Sequence, residues 1–267
     1  MDANVFLPAI TAALAIVFFV LLMDQWRLRR RAYQAIWALG ILFFGVAVAC
    51  EAVAAAAGWS EPIYLLWYLT GAVWTAGWLG LGNAFLLGRT RFGFAFALCL
   101  FFAGLFTFLT ARANPEIYES ATTTAMLYFL VALVLALAVS VETYFQNWRW
   151  PWMAFVGVAG ATLLSIVLVL MADIPEPGYA LDPETGVPTA EILPPELRLL
   201  TPFMNVTGAF ALILGAMFSA YVFMPKKRIL AYNIDPNQAG DQFMFNLLIA
   251  PVAIVVNFVA SLPGALK

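Results

Sequence analysis

The sequence predicts an all-α fold: a polytopic transmembrane helix bundle of eight spans, forming a single domain over residues 1–267. Three observations carry that prediction. The chain is 64% hydrophobic and only 10% charged, with a mean hydropathy of +0.92, whereas a soluble domain has about a quarter of its residues charged. Apolar runs of about 20 residues recur along it, the length a helix needs to cross the hydrocarbon core. Basic residues fall in every second loop, as the positive-inside rule requires of an alternating topology.

The start, MDANVFLPAITAALAIVFFVLLMDQWRLRRR, places acid before its apolar run and a basic cluster after it. A cleavable signal peptide has the opposite order. Residues 5–23 therefore read as a retained first span with its N-terminus outside the cytoplasm. The remaining spans follow at 33–57, 62–87, 92–112, 121–145, 151–172, 199–224 and 243–262. Loops on the cytoplasmic side of this topology hold Arg27, Arg29, Arg30, Arg31, Arg89, Arg91, Arg149, Lys226, Lys227 and Arg228, ten of the 13 Lys and Arg residues. Only Arg112, Arg198 and Lys267 fall outside, so both termini face away from the cytoplasm of a bacterial inner membrane. The last span contains Asn246, Pro251 and Asn257. It reads as a kinked full crossing; the alternative is a re-entrant segment behind a seven-helix bundle.

Composition also excludes functions. A net charge of −2 leaves no footprint for nucleic acid. The chain has no histidine, which removes the usual haem ligand, the commonest zinc ligand and the commonest acid–base catalyst. Cys50 and Cys99 lie within apolar spans and read as small buried residues, without the clustering that a metal or disulfide framework needs. No nucleophile–base pair or phosphate loop is visible, so the chain reads as non-catalytic. A retinal Schiff base would need a lysine within a span, and the three lysines all lie outside.

The bundle is organised around residues 47–83, two spans joined by a short turn at 58–62. In the second span Trp37, Gly40, Phe44, Ala47, Val48, Glu51, Ala54, Ala55 and Gly58 share one face at 100° per residue. Glu51 is an ionisable group in an apolar helix, and exposing it to lipid costs several kcal/mol, so this face points to protein or water. In the third span Tyr64, Tyr68, Gly71, Thr75, Trp78 and Gly82 share a face flanked by Trp67 and Trp74. Trp74 and Trp78 are too deep for interfacial anchors, and each buried indole N–H needs an acceptor. They read as tight aromatic packing or as a wall for a flat or isoprenoid ligand such as a quinone, a carotenoid or a lipid tail. In the seventh span Thr201, Asn205, Gly208, Ala209, Leu212, Ala216, Ser219 and Ala220 form a small and polar stripe suited to helix packing.

Alternating direction puts Glu51, Tyr68, Gly71 and Asn205 all in the outer half of the bilayer. The second, third and seventh spans are expected to meet there in a pocket or polar knot, with Glu51, Tyr68, Trp74, Trp78 and Asn205 as ligand-binding candidates and Tyr68 and Asn205 as the nearest donors to Glu51. Three roles stay open for Glu51: a hydrogen-bonded structural group, a ligand- or proton-handling group, and a side chain in an aqueous vestibule. Among other polar residues, Glu142 is expected to snorkel or pair with Arg149 or Arg89. Asn83 is expected to serve packing. Thr122, Thr123 and Thr124 should cap the fifth span.

The longest hydrophilic connection, 173–198, has six prolines and six acidic residues and lies on the outer side. LDPETG reads as a turn closed by Gly186, and PPELRLL as a helix start with proline in its first turn. The connection reads as a solvated linker, an ordered cover over the outer mouth, or a strip for a partner.

The runs WALGILFFGVAVACEAVA, YLLWYLTGAVWTAGWLGLGNAFLL and NVTGAFALILGAMFSAYVF resemble those of bacterial seven- or eight-helix integral membrane proteins of unknown function. They are also similar to the multi-pass sensory regions ahead of some histidine kinases. No output domain follows Lys267, so a sensory role implied by that resemblance would need a separate signalling partner.

Three functions fit. The first is an accessory or scaffold subunit of a larger membrane complex, embedded in the lipid bilayer beside other membrane subunits and holding lipid, quinone or pigment without a covalent cofactor. It asks least of the residues present. The second is a small-molecule or proton-coupled transporter using Glu51. The third is a membrane sensor without its own output.

Overall fold

The computed structural model describes residues 3–174, 179–183 and 188–223, and these are mostly helical. Helix α1, Ala3–Arg29, is joined to α2, Ala32–Ala57, by Arg30 and Arg31 alone. Gly58 ends α2 with a left-handed φ of 89°, and its N–H donates to the Ala54 carbonyl at 2.8 Å. Glycine takes that conformation without a Cβ penalty. Helix α3 runs over 61–86 and opens with Pro62 in its first turn. Then follow α4, Phe92–Ala113, α5, Pro115–Tyr144 (with one 3-10 turn at Glu119–Ala121), α6, Trp150–Met171, and α7, Pro195–Phe223.

Among the described residues, six helices are long and apolar enough to cross a membrane: α1, α2, α4, α5, α6 and α7. Helix α3 is continuous, but it is α-helical only over Glu61–Trp67 and Thr75–Leu86; the stretch between, Tyr68–Trp74, is π-helical. The expected span at 243–262 lies outside the described residues. Helix starts differ from expectation at two places. The fifth begins at Pro115 rather than residue 121, and the seventh at Pro195, ahead of the span at 199 but at the helix start read in PPELRLL, because a proline in the first turn needs no N–H partner. Thr122 does not cap a helix start; its hydroxyl donates to the Tyr118 carbonyl one turn back, inside the longer helix.

Helix α3 forms the centre of the bundle, packed on α2, α6 and α7, while α4 packs on α5 and α7. Trp37 reaches Leu79 and Glu51 reaches Trp67, so α2 runs antiparallel to α3. Trp74 and Trp78 reach Ser165 and Thr162, so α6 is antiparallel to it as well. Tyr68 meets Thr201 and Asn83 reaches Ala211, so α7 runs parallel to α3. Chain direction thus alternates from helix to helix.

Small residues allow these contacts. A methyl group at Gly80 would stand 2.7 Å from the Gly208 Cα, and one at Gly208 would collide with the Ala76 carbonyl. Here α3 and α7 touch backbone to backbone, as at many membrane helix crossings. Gly82 likewise leaves room for the Trp37 ring, whose Nε1 donates to the Leu79 carbonyl at 3.2 Å. Around this core the outward faces are apolar. Leu98, Phe102, Phe106 and Leu109 form an exposed stripe on α4, and Leu7, Leu14, Val17 and Leu21 are exposed on α1, a surface suited to acyl chains.

Within 173–198 the described residues form a two-residue hairpin, β1 (Ala180–Leu181) against β2 (Pro188–Thr189). Tyr64 Oη donates to the Thr189 carbonyl at 2.6 Å, and Leu193 is buried in the bundle's main core. Of the three readings of this segment, its described residues match an ordered cover over the bundle end. Residues 184–187 of the expected turn lie outside the described residues.

Candidate functional site

The geometry follows α3 along its length. Near its start the Trp67 indole donates to Glu51 Oε1 at 2.8 Å, and the Trp59 ring stands edge-on to Trp67 at 5.5 Å. Glu51 is half-buried in the next-to-last turns of α2, about 10 Å along the axis from Gly58. Its carboxylate thus faces α3 and accepts from an indole, a donor that the sequence reading placed only on the flank of the third span.

Tyr68, the next residue on α3, turns to α7, where its hydroxyl shares a 2.7 Å hydrogen bond with Thr201 Oγ1. One turn on, Asn205 Nδ2 donates to the Ala72 carbonyl at 3.0 Å, while Asn205 Oδ1 is buried with no hydrogen-bond partner among the described residues. The contact points of Glu51, Tyr68 and Asn205 therefore lie within little more than one turn, on residues 67, 68 and 72 of α3. They do not converge. α2 and α7 make no extended contact with one another among the described residues, and α3 separates them.

Trp67 and Tyr68 are neighbours about 100° apart and so meet different helices, and the π-helical stretch that follows redirects the rest of α3. Thr75 donates its backbone N–H to the Thr70 carbonyl five residues back, and its hydroxyl reaches the same carbonyl at 2.7 Å. An i→i+5 turn holds an extra residue, so positions beyond it are rotated away from a wheel drawn at 3.6 residues per turn. The face expected for the third span is accordingly divided. Tyr68 serves α7, Gly71 meets the Ala47 methyl of α2, Trp78 serves α6, and Gly82 receives Trp37 of α2.

Trp74 Nε1 donates to Ser165 Oγ at 2.8 Å, and Trp78 Nε1 to Thr162 Oγ1 at 3.0 Å. Both hydroxyls pass their own protons back along α6, Ser165 to the Thr162 carbonyl and Thr162 to the Val158 carbonyl. These acceptors were missed in the sequence. Their signal was an i, i+3 pair of hydroxyls in a span otherwise without polar groups. Phe43 of α2 closes edge-on to Trp74 at 5.0 Å and to Trp78 at 6.1 Å, which gives α3 an aromatic wall between α2 and α6.

The lesser polar residues are also placed. Asn83 Nδ2 donates to the Ala211 carbonyl at 3.2 Å, a packing role. Glu142 makes no ion pair with Arg149 or Arg89 among the described residues, and its Oε2 is buried there without a hydrogen bond. It lies on the last turn of α5, where the Glu142 carbonyl instead accepts from the Asn147 N–H. Cys50 and Cys99 are buried free thiols. Compared with known proteins, the chain matches no family model, no curated protein and no solved structure.

Proposed function

We propose that this chain is a multi-pass membrane protein of the bacterial inner membrane with eight spans and both termini outside the cytoplasm, working as an accessory or scaffold subunit of a larger membrane complex. One observation carries the subunit reading. The five candidate site residues each have a hydrogen bond from packing within the bundle: Glu51 with Trp67, Tyr68 with Thr201, Trp74 with Ser165, Trp78 with Thr162, and Asn205 with Ala72. Beyond the second carboxylate oxygen of Glu51 and the buried Asn205 Oδ1, what they leave for other molecules is apolar: ring faces and exposed aliphatic stripes. Such a surface suits lipids, a quinone or a carotenoid, and the transmembrane faces of other subunits. The alternating helix directions, with ten of 13 basic residues at one end of the topology, support the orientation.

Purification of the tagged chain from native membranes in mild detergent tests this reading. Stoichiometric membrane partners are the expected result. A monodisperse lone chain that catalyses solute uptake in proteoliposomes, with the uptake abolished by Glu51→Gln, would replace it with the transporter reading.

A further inference from the structure

At the end of the bundle opposite Glu51, a surface cleft of about 1020 Å³ opens where α1 turns into α2, α3 into α4, and α5 into α6. Arg29, Arg30, Arg31 and Arg89 line it, with no acidic side chain among the described lining residues. Four arginines on one cleft, Arg30 with its guanidinium over the Trp26 ring at 4.8 Å, are a concentrated positive site in a chain whose net charge is −2. Helix-end arginines ordinarily need only water and the membrane surface, so charge alone would not make this a site. Backbone geometry adds a second observation. Among the described residues, the three non-glycine positions with left-handed φ are Arg30 (51°), Gln146 (55°) and Trp148 (54°). Arg30 and Trp148 line this cleft, and Gln146 lies two residues from Trp148. Arg30 takes it as the residue that ends α1 and Gln146 as one that follows α5, where left-handed caps are common; Trp148 is in neither position.

A third observation gives the ligand its shape. From Trp152 in the cleft, ring contacts lead to Phe155 (5.8 Å), then Trp78 (5.9 Å), Phe43 (6.1 Å) and Trp74 (5.0 Å). Phe85 of α3 also meets Trp152, at 5.1 Å. Between residues 85 and 74 the track covers about 16 Å of helix axis, half of a hydrocarbon core of about 30 Å and so the depth of one leaflet. Of these rings Phe85 and Trp152 line the cleft itself, Trp152 is 59% exposed, and Trp78 farther in is buried.

We propose that the cleft binds one anionic glycerophospholipid, with its phosphate among the four arginines and an acyl chain leaving over Phe85 and the exposed Trp152. Arginine suits the head because its planar fork matches phosphate oxygens in pairs. Basic pockets between membrane helices hold anionic head groups in the same manner. The proposal rests on the chain being embedded in a membrane and is independent of the subunit role.

The test uses the full-length chain in nanodiscs and reads lipid retention by native mass spectrometry and Tm against added lipid. Phosphatidylglycerol should be retained at least tenfold over phosphatidylcholine and should raise Tm more. Arg30→Gln with Arg89→Gln should abolish that preference while Arg27, Arg29 and Arg31 still hold the orientation. Trp152→Ala should weaken retention of both lipids while leaving the preference in place. Arg30→Lys with Arg89→Lys, which keeps the charge, should restore the preference in part. Equal retention of the two lipids by the wild-type chain, or a preference that survives the double Gln variant, overturns the proposal. So does displacement of the lipid by inorganic phosphate at equal concentration, which would mark a soluble-anion site. A chain recovered in the soluble fraction after carbonate washing would instead defeat the membrane reading itself.

Discussion

The indole of Trp67 donates to the carboxylate of Glu51 at 2.8 Å, linking the last turns of α2 to the first of α3. The acid is thus held by the residue preceding the π-helical stretch, and its environment depends on how that stretch is wound.

Removing the two partners should have unequal effects. Trp67→Phe leaves a half-buried carboxylate without its donor and should cost about 1–3 kcal/mol, whereas Glu51→Gln keeps an acceptor oxygen for the indole and should cost less. A double-mutant cycle of Trp67→Phe with Glu51→Ala, which removes the acceptor altogether, should give a coupling of about 0.6 kcal/mol and at most about 1.7, as found for hydrogen bonds between membrane helices. Unfolding in SDS or by steric trapping reads these values; strict additivity would show that the bond contributes nothing.

At the crossing of α3 and α7, Gly208→Ala places a methyl group against the Ala76 carbonyl, which no rotamer change can relieve. A loss of about 1–3 kcal/mol is expected from overpacking of that kind. Gly160→Ala on α6 meets nothing within 4 Å and should be neutral or stabilising by about 0.4–1 kcal/mol. Equal destabilisation by the two would argue against a backbone-to-backbone crossing.

Thr162→Val should destabilise more than Trp78→Phe. The first strands a buried indole N–H, while the second leaves a hydroxyl that already donates to the Val158 carbonyl. Combining them should cost less than the sum, by about 1 kcal/mol, since both polar partners are then gone. Chemical denaturation with tryptophan emission as the probe reads the ranking.

Asn205→Leu removes a donor to the Ala72 carbonyl together with a buried, unbonded amide oxygen. The two effects oppose one another, so global stability should change by less than about 1 kcal/mol. Local protection should not be conserved in the same way. Hydrogen exchange over 68–76 is expected to speed up, and unaltered exchange there would show that Asn205 does not support the π-helical stretch.

Much of the fold was readable because it depends on local pattern. The stripe of Trp37, Gly40, Ala47 and Glu51 repeats at helical spacing, and each of these residues meets α3, at Gly82, Leu79, Gly71 and Trp67 in turn. The α7 stripe of Thr201, Asn205 and Gly208 meets α3 in the same manner. What could not be read was the winding of α3 itself. An i→i+5 turn has no sequence signature here; Thr70 and Thr75, whose hydroxyls donate to the Leu66 and Thr70 carbonyls, look like ordinary polar residues of a span. With the winding hidden, a regular wheel joined Tyr68 to Trp78 across it. Acceptors on α6 were overlooked for another reason: Thr162 and Ser165 are small, and their use is apparent only once two indoles point at them.

The extra residue in α3 also ties together the two ends of the bundle. Rewinding Tyr68–Trp74 to ordinary helical bonding would turn one end of the rod against the other by about 100°, one residue's worth of rotation. Then either Trp67 lets go of Glu51, or the deeper indoles let go of Ser165 and Thr162. The bond to Glu51 and the bonds to Ser165 and Thr162 are thus made together only while the extra residue stays in place.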